Sequence, residues 1–505
     1  PMQTSTNRFI GNWTRNQKRH GEQQIVLLLY GLLALLIGLH LYVLTLPATQ
    51  GALPETGEAE ALWWGFWPVR YPPPAVVWLA AGVLVGVMLW MARRATKAAV
   101  KTTVEAVGGE TVANSSAFPS GLIVLAILLL AAFCAFPIVH TRWGDAYILA
   151  NAMAWPDPAL RLTHSWQAPL DVFLHSQLWL SFHQRFEWND ATPVYRLLSP
   201  LAGVFYLAVV LQLSRMKDLA PAWLSFGLLT SLGVVQLFFG YVENYSFAAA
   251  GILAYLWIGL AALKGKRPLW LAALVLALLN ATHPSTIVLS PSLLYVGWTR
   301  WRRGRLSGWR GLMEAALPVL LVAGGTLLLM EAGGHGLAAL FSTDRPGGGD
   351  GRWLVPLFAT TTRWEHYTLF SWPHLRDFLN EQVLVAPVVL PSLLLIGAGT
   401  IRSGWRSIFS ALPAGERRAA LFLLMAAVCY WLFVWLWNPD YGGQRDWDLF
   451  SLSTIPSTLL LVWALPRVVT APQRILAAGL PLILFQALHT AAFVYQNTLP
   501  WQWPG

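Results

Sequence analysis

The sequence predicts an all-α, polytopic transmembrane helical bundle, and three observations carry that prediction. The first is composition. Of 505 residues 56% are hydrophobic and only 11% charged, with a mean hydropathy of +0.51, a balance that rules out a soluble multidomain enzyme. The second is the supply of apolar runs. About thirteen of them reach roughly 17 to 25 residues, enough to cross roughly 30 Å of hydrocarbon. They centre on residues 25–46, 74–92, 120–139, 197–214, 221–240, 246–263, 268–282, 284–299, 311–330, 383–400, 419–437, 449–466 and 475–495. The third is charge asymmetry. With the N-terminus cytoplasmic, most of the 34 basic residues fall on the inside segments, where only Glu22, Glu105, Glu110, Asp218, Glu314 and Glu416 of the 24 acidic residues join them. Lys and Arg retained on the cytoplasmic side give this pattern, so the net charge of +10 calls for no nucleic acid.

Taken in order, residues 1–119 read as an N-terminal cytoplasmic segment, two extra transmembrane helices and a cytoplasmic linker. Residues 120–466 form the transmembrane core, with external loops at 140–196 and 331–382. Residues 467–505 are a last transmembrane helix and an external tail. The first apolar run follows a polar, basic stretch and lacks a small-residue cleavage site, which reads as a retained anchor. The acidic loop 47–73, with Glu55, Glu58 and Glu60, carries no recognisable site. In the first large external loop, AYILANAMAW and LDVFLHSQLWLSFH are amphipathic at helical spacing, as interfacial helices are. Cys134 and Cys429 lie within apolar runs, which excludes a disulfide framework and a Cys-rich zinc site. There is no nucleotide-binding glycine loop and no internal repeat.

Charge near membrane depth is costly and marks functional sites. Here it collects at the external ends of the spans, as Asp145, Glu243, His283, Asp440, Arg445, Asp446 and Asp448. Asp145 follows the third span and opens a helical pattern. It reads either as a helix cap, stabilising by about 1 kcal/mol, or as a general base or metal ligand beside an apolar wall. Glu243 and Asn244 fall where two spans meet, as turn residues or as substrate and metal contacts. His283 precedes Pro284 at the next junction and suits phosphate or hydroxyl binding, or a structural hydrogen bond. Asp171 and His175, four apart on one helical face, are a weak metal pair.

Arg445 sits in GGQRDWDLFS, where two glycines let the backbone approach an anion. Phosphate binding and a salt bridge to Asp446 or Asp448 are both open to it. Those two aspartates could recognise sugar hydroxyls, bind a cation or cap the following span. Arg142, Arg345, Arg363 and His366 are further phosphate candidates. The loop 331–382 joins a Gly-rich stretch to an aromatic one, with Trp353, Trp364 and Trp372, as a lid or as a connector among lipid headgroups.

WGDAYILANAMAW opening the first external loop, APLDVFLHSQLW after it, then ENYSFAAAGILAYLWIGLAAL, LALLNATHPSTIVLSPSLLY and YGGQRDWDLFSLSTIPSTLLL resemble the C-type glycosyltransferase (GT-C) superfamily in order and placement. The pattern is similar to protein O-mannosyltransferases and lipid A aminoarabinose transferases. That resemblance, over residues 120–466, implies a GT-C-like fold and a sugar donor linked to polyprenyl phosphate. It also implies an external active site with Asp145 as catalytic base or metal ligand. The acceptor would be a protein, glycolipid or polysaccharide, and membrane lipids would surround the enzyme. Many relatives carry two adjacent acids at this place, whereas Ala146 follows Asp145 here. A second carboxylate for a divalent cation, Mg or Mn, would then come from Glu243 or Asp171.

Displacing a phosphate from an anomeric carbon needs cations or hydrogen-bond donors on the leaving group and a carboxylate on the nucleophile's side. The competing reading is a lipid-linked saccharide transporter or flippase, or another membrane transferase or ligase. A transporter should keep ionisable groups at mid-membrane, where His489 is the main exception to a one-ended distribution. A bacterial inner membrane is the expected location.

Overall fold

The computed structural model describes residues 2–47, 58–104, 120–341, 351–402 and 412–501. Among them every regular element is helical, and the single β contact is an isolated bridge between Leu354 and Trp437. Among the described residues eight helices are long and apolar enough to cross a membrane: Gly21–Thr45, Pro74–Arg94, Thr192–Ser214, Ser246–Leu263, Gly308–Ala332, Ala414–Leu436, Trp447–Val468 and Pro472–Asn497. Trp372–Val385 and Val389–Gly399 add a ninth crossing if taken as one span bent by 105°.

Counting about thirteen spans from the sequence also includes segments that are short or interrupted here. Ser120–Ala135 and Leu269–Thr282 are shorter apolar helices. The run 221–240 divides into the helix Ala222–Thr230 and a 3-10 turn, Gly233–Phe238. The run 284–299 begins as a 3-10 turn, Pro284–Leu289, before the helix Ser290–Arg302. Proline and glycine in these runs remove donors or relax the backbone, so the sequence stays apolar where the α-helix does not continue.

Broken spans expose carbonyls that lipid cannot satisfy. The helix Pro472–Asn497 meets that need with a polar stripe on an otherwise apolar segment. Gln486 Nε2 donates to Leu228 O at 3.2 Å and to Ser231 Oγ at 2.9 Å. Thr490 Oγ1 donates to Ser231 O at 2.7 Å, and His489 Nε2 lies 3.0 Å from Leu384 O. The other His489 nitrogen is 2.9 Å from His40 Nε2 on the first helix. The two breaks also touch each other, since Gly233 lies against the backbone of Leu384 and Val385. His489, the exception to the one-ended charge pattern, is therefore packed into helix-to-helix bonding.

Trp447–Val468 is the central span, with 83% of its apolar window buried, against 6% for the peripheral Gly308–Ala332. The loop 140–196 folds as its amphipathic pattern predicts. Ala146–Met153 and Pro169–Phe186 are helices, and Leu149, Met153, Val172, Trp179 and Tyr195 form a small core of their own.

At one end of the bundle three connections meet. Ile138 N donates to Phe239 O at 2.8 Å, Gly144 N to Arg445 O at 2.9 Å, and Val139 N to Asn497 O at 3.1 Å. These bonds bring the segments before Ala146, before Ser246 and before Trp447 side by side.

Candidate active site

Gly144 is the pivot of the site. Its φ of +48° is a left-handed conformation that a side chain resists. A Cβ there would also stand 2.6 Å from Glu243 Oε1 and 3.2 Å from Asp448 Oδ2. Only hydrogen at that position lets two carboxylates converge on the backbone that carries Asp145.

Asp145 stands at the N-cap position of Ala146–Met153, but its side chain makes no capping hydrogen bond. The capping alternative is thereby corrected: the carboxylate points away from the helix and accepts from Tyr441 Oη, 2.8 Å from Oδ1. The Tyr441 ring also supports Arg445, whose guanidinium carbon lies 5.0 Å from the ring centroid. Burial raises the Asp145 carboxyl above the ordinary aspartate value, and the Tyr441 hydrogen bond and the Arg445 charge draw it part of the way back.

Glu243, 3% exposed, is a brace. Its Oε1 accepts from Asp145 N, and its Oε2 accepts from Asn244 N at 3.3 Å. Burial, then the Asp448 and Asp145 charges, push its carboxyl well above the ordinary glutamate value. A proton on Glu243 relieves that repulsion. Asn244 Oδ1 accepts from Tyr195 Oη at 3.4 Å.

Asp448 lies inside the first turn of the helix that starts at Trp447. Its Oδ1 accepts from Leu449 N at 2.8 Å, which retains part of the capping role, and its Oδ2 accepts from Tyr241 Oη at 2.9 Å. Asp446 Oδ2 accepts from Tyr441 N at 2.9 Å and closes the turn 441–446. Burial, then Asp448, raises Asp446 well above the aspartate range.

The structure thus brings together Asp145, Glu243, Asn244, Arg445, Asp446 and Asp448, while the other sequence candidates stand further out. His283 caps the turn Pro284–Leu289 by accepting from Ser285 N, and its ring centroid is 4.7 Å from that of Tyr245. His366 Nε2 is 3.0 Å from Asp440 O, which ties the loop 351–371 to the turn. Arg345 lies outside the described residues. Arg142, 4% exposed, is held by Glu60 at 2.9 Å. Asp171 pairs with His175 at 3.1 Å, behind Tyr195. The metal set of Asp145, Glu243 and Asp171 is therefore not gathered, and no group of three His, Cys, Asp or Glu among the described residues is arranged to hold a metal ion.

Three participants escaped the sequence reading. Asp377 accepts from Trp64 Nε1 at 3.1 Å and lies against Gly443. Glu381 is 2% exposed with neither carboxylate oxygen hydrogen-bonded, within electrostatic reach of Asp448, Asp377 and Asp446. Tyr441 is the third. The spacing of the two acids, four apart in WPHLRDFLNEQVLV, was the available signal.

The aromatic loop rests on this site. Val355 N donates to Leu436 O at 2.9 Å and Asn438 N to Trp353 O at 3.0 Å. Asn438 Nδ2 donates to Trp364 O, also at 3.0 Å. The Trp364 ring meets Tyr441 edge-on at 6.1 Å and carries Arg363 at 4.5 Å.

No protein-family model matches the sequence, and no curated protein matches it. Among solved structures the fold is similar to the crystal structure of ArnT from Cupriavidus metallidurans bound to undecaprenyl phosphate. The TM-score is 0.43 and the identity 13%, over 75% of this chain and 77% of that one. A likeness at this level leaves function to be argued from the residues.

Proposed function

We propose that this chain is an integral-membrane glycosyltransferase that moves a sugar from a polyprenyl-phosphate donor to an acceptor hydroxyl by single displacement with inversion. The observation that carries the reading is the half-buried Asp145 carboxylate. It is turned away from its helix, bonded to Tyr441 and neighboured by Arg445, at the polar end of an apolar bundle. A carboxyl raised by burial is a better base near neutral pH than an ordinary aspartate.

In the proposed step the acceptor oxygen bonds to the anomeric carbon and its proton passes to Asp145. The bond from that carbon to the phosphate oxygen breaks, leaving the electron pair on the phosphate. Arg445 offers charge to the departing phosphate, with Arg363 and His366 above it on the overlying loop. Asp446, Asp448, Asn244 and His283 are assigned to binding sugar and acceptor hydroxyls. A divalent cation would draw on Glu243 and Asp448, the carboxylates that meet at Gly144. They do not offer three ligands with Asp145, so no step is routed through a metal.

A lipid donor also needs room for its chain. An apolar cavity of about 530 Å³ opens among the helices Gly21–Thr45, Pro74–Arg94 and Pro472–Asn497, lined by Ile37, Val77, Leu84, Phe485, Leu488 and Tyr495. Its Tyr495 end is two residues from Asn497, which accepts from Trp143 Nε1 at 2.7 Å. The basic character of the opposite end supports a cytoplasmic N-terminus and an external site, and a bacterial inner membrane is the proposed setting.

The test is sugar transfer in proteoliposomes from a panel of radiolabelled polyprenyl-phosphate sugars, with protein, glycolipid and polysaccharide acceptors. Asp145→Asn should lower transfer by about a hundredfold or more while the protein keeps its melting temperature. Full activity in Asp145→Asn would remove the base assignment. Donor translocation without any transfer would favour the carrier reading.

A further inference from the structure

The opposite end of the bundle holds a second cavity, remote from the carboxylates, of about 340 Å³. Its polar rim consists of Lys264, Arg303, Arg418 and Arg467 with Asp218 and Glu416, and its walls include Leu260, Leu263, Ala419 and Trp463. Two of the cations are already engaged. Arg467 Nε donates to Glu416 Oε2 at 2.9 Å, its Nη1 to Leu219 O at 3.0 Å and Trp463 O at 2.7 Å, and its Nη2 to Asp218 O at 2.9 Å. Lys264 is bonded to Asp218.

Arg303 and Arg418 have no carboxylate in ion-pair distance among the described residues. Arg303 makes one bond, to Leu263 O at 3.3 Å. Arg418 and Arg305 stand close enough to hold the Arg303 guanidinium below its ordinary value. The other described acids of this end are committed elsewhere. Glu22 faces Arg474 at 3.0 Å, and Glu314 accepts from Leu269 N at 3.2 Å. Segment 403–411, which precedes the cavity wall at Pro413, contains no Asp or Glu.

A like-charge pair at the mouth of a cavity is electrostatically incomplete without an anion. The apolar wall beside it distinguishes between anions. A free phosphate gains nothing from Leu260, Leu263 and Ala419, whereas a lipid uses the arginines for its headgroup and the wall for its chains. We propose that the cavity between Arg303 and Arg418 binds the phosphate of an anionic phospholipid from the leaflet at that end of the bundle. The assignment is independent of the glycosyltransferase reading.

The full chain, purified in detergent and delipidated, is titrated with phosphatidylglycerol, phosphatidylcholine or inorganic phosphate. Melting temperature and lipid retention by native mass spectrometry are read together. Wild type should be stabilised by phosphatidylglycerol alone, and R303Q/R418Q should weaken its apparent affinity by roughly tenfold or more. R303K/R418K should keep most of the affinity, and the control R94Q/R310Q, at the same end but away from the cavity, should match wild type. Equal stabilisation by phosphatidylcholine or by inorganic phosphate would overturn the proposal. So would undiminished phosphatidylglycerol binding in R303Q/R418Q. Both arginines are at least partly exposed, and the lysine pair reports on folding if the glutamine pair is unstable.

Discussion

Tyr441 and Asp145 stand 296 positions apart in the chain, yet the phenol donates to Asp145 Oδ1 across 2.8 Å. The same tyrosine carries Arg445 over its ring and meets Trp364 edge-on. One side chain therefore joins the proposed base, the proposed phosphate ligand and the loop that covers them.

Replacing Tyr441 by Phe removes a hydrogen bond that favours the charged form of Asp145. A base must be deprotonated, so activity falls as pH drops through its pKa. Losing the donor raises that pKa further. Tyr441→Phe should move the acid limb of the pH–rate profile to higher pH and lower transfer near neutrality by about tenfold. An unmoved limb would count against Asp145 as the titrating base.

Glu243 titrates in the other sense for stability. Its folded pKa lies above the unfolded value of 4.5, so the native state holds more protons and loses stability as pH rises from there toward the folded value. Melting temperatures measured from about pH 5 to 8 should fall with pH in wild type and flatten in Glu243→Gln, which keeps an oxygen for Asp145 N. Glu243→Ala removes that acceptor and should lie about 1–3 kcal/mol below Glu243→Gln at every pH.

Gly144 and Gly442 both have positive φ, +48° and +82°, but they differ in room. A Cβ at Gly442 finds its nearest atom, His366 Nε2, at 3.8 Å, whereas one at Gly144 meets Glu243 at 2.6 Å. Gly442→Ala should show only the backbone cost, about 1–2 kcal/mol. Gly144→Ala should add displacement of Glu243 and abolish measurable transfer. Equal kinetic defects in the two variants would contradict this account of the pivot.

Arg142 and Glu60 are 4% and 3% exposed, with Gln444 Nε2 also donating to Glu60 Oε1 at 3.2 Å. Leaving one charge of such a pair alone is expensive. Arg142→Met should destabilise by about 3–5 kcal/mol, and Glu60→Gln added to it should restore much of the loss. Thermal unfolding checks the pair, and no recovery in the double variant would mean that Arg142 acts through its packing on Trp143 and Trp501 instead.

Much of the site was legible because its acids sit beside sequence features that survive folding. Asp145, Glu243, Asp446 and Asp448 each flank an apolar run, and run ends on one side of a bundle meet at one end. The pairing of Arg142 with Glu60 was not legible because the helix Glu58–Trp63 that carries Glu60 has no motif, and long-range ion pairs leave no local pattern. Asp377 and Glu381 were missed because the aromatic stretch before them resembles interfacial loop, while the helix Trp372–Val385 carries them inward. Tyr441 had no signal beyond its place next to the double glycine. The fold class followed from hydropathy and charge asymmetry, but the interruptions within spans did not. A 3-10 turn and an α-helix of the same apolar residues have the same mean hydropathy.

Insertion order gives the polar stripe on Pro472–Asn497 a further meaning. Spans enter a bilayer successively, and the carbonyls of Leu228, Ser231 and Leu384 belong to segments that precede this helix in the chain. Until Gln486, His489 and Thr490 arrive, those carbonyls lack the donors that hold the two breaks together. The break at Ser231 leads through Gly233–Phe238 directly to Glu243, and the break after Val385 follows Glu381 on the same helix. Assembly of the acidic end is therefore completed by a helix that contributes none of its acids.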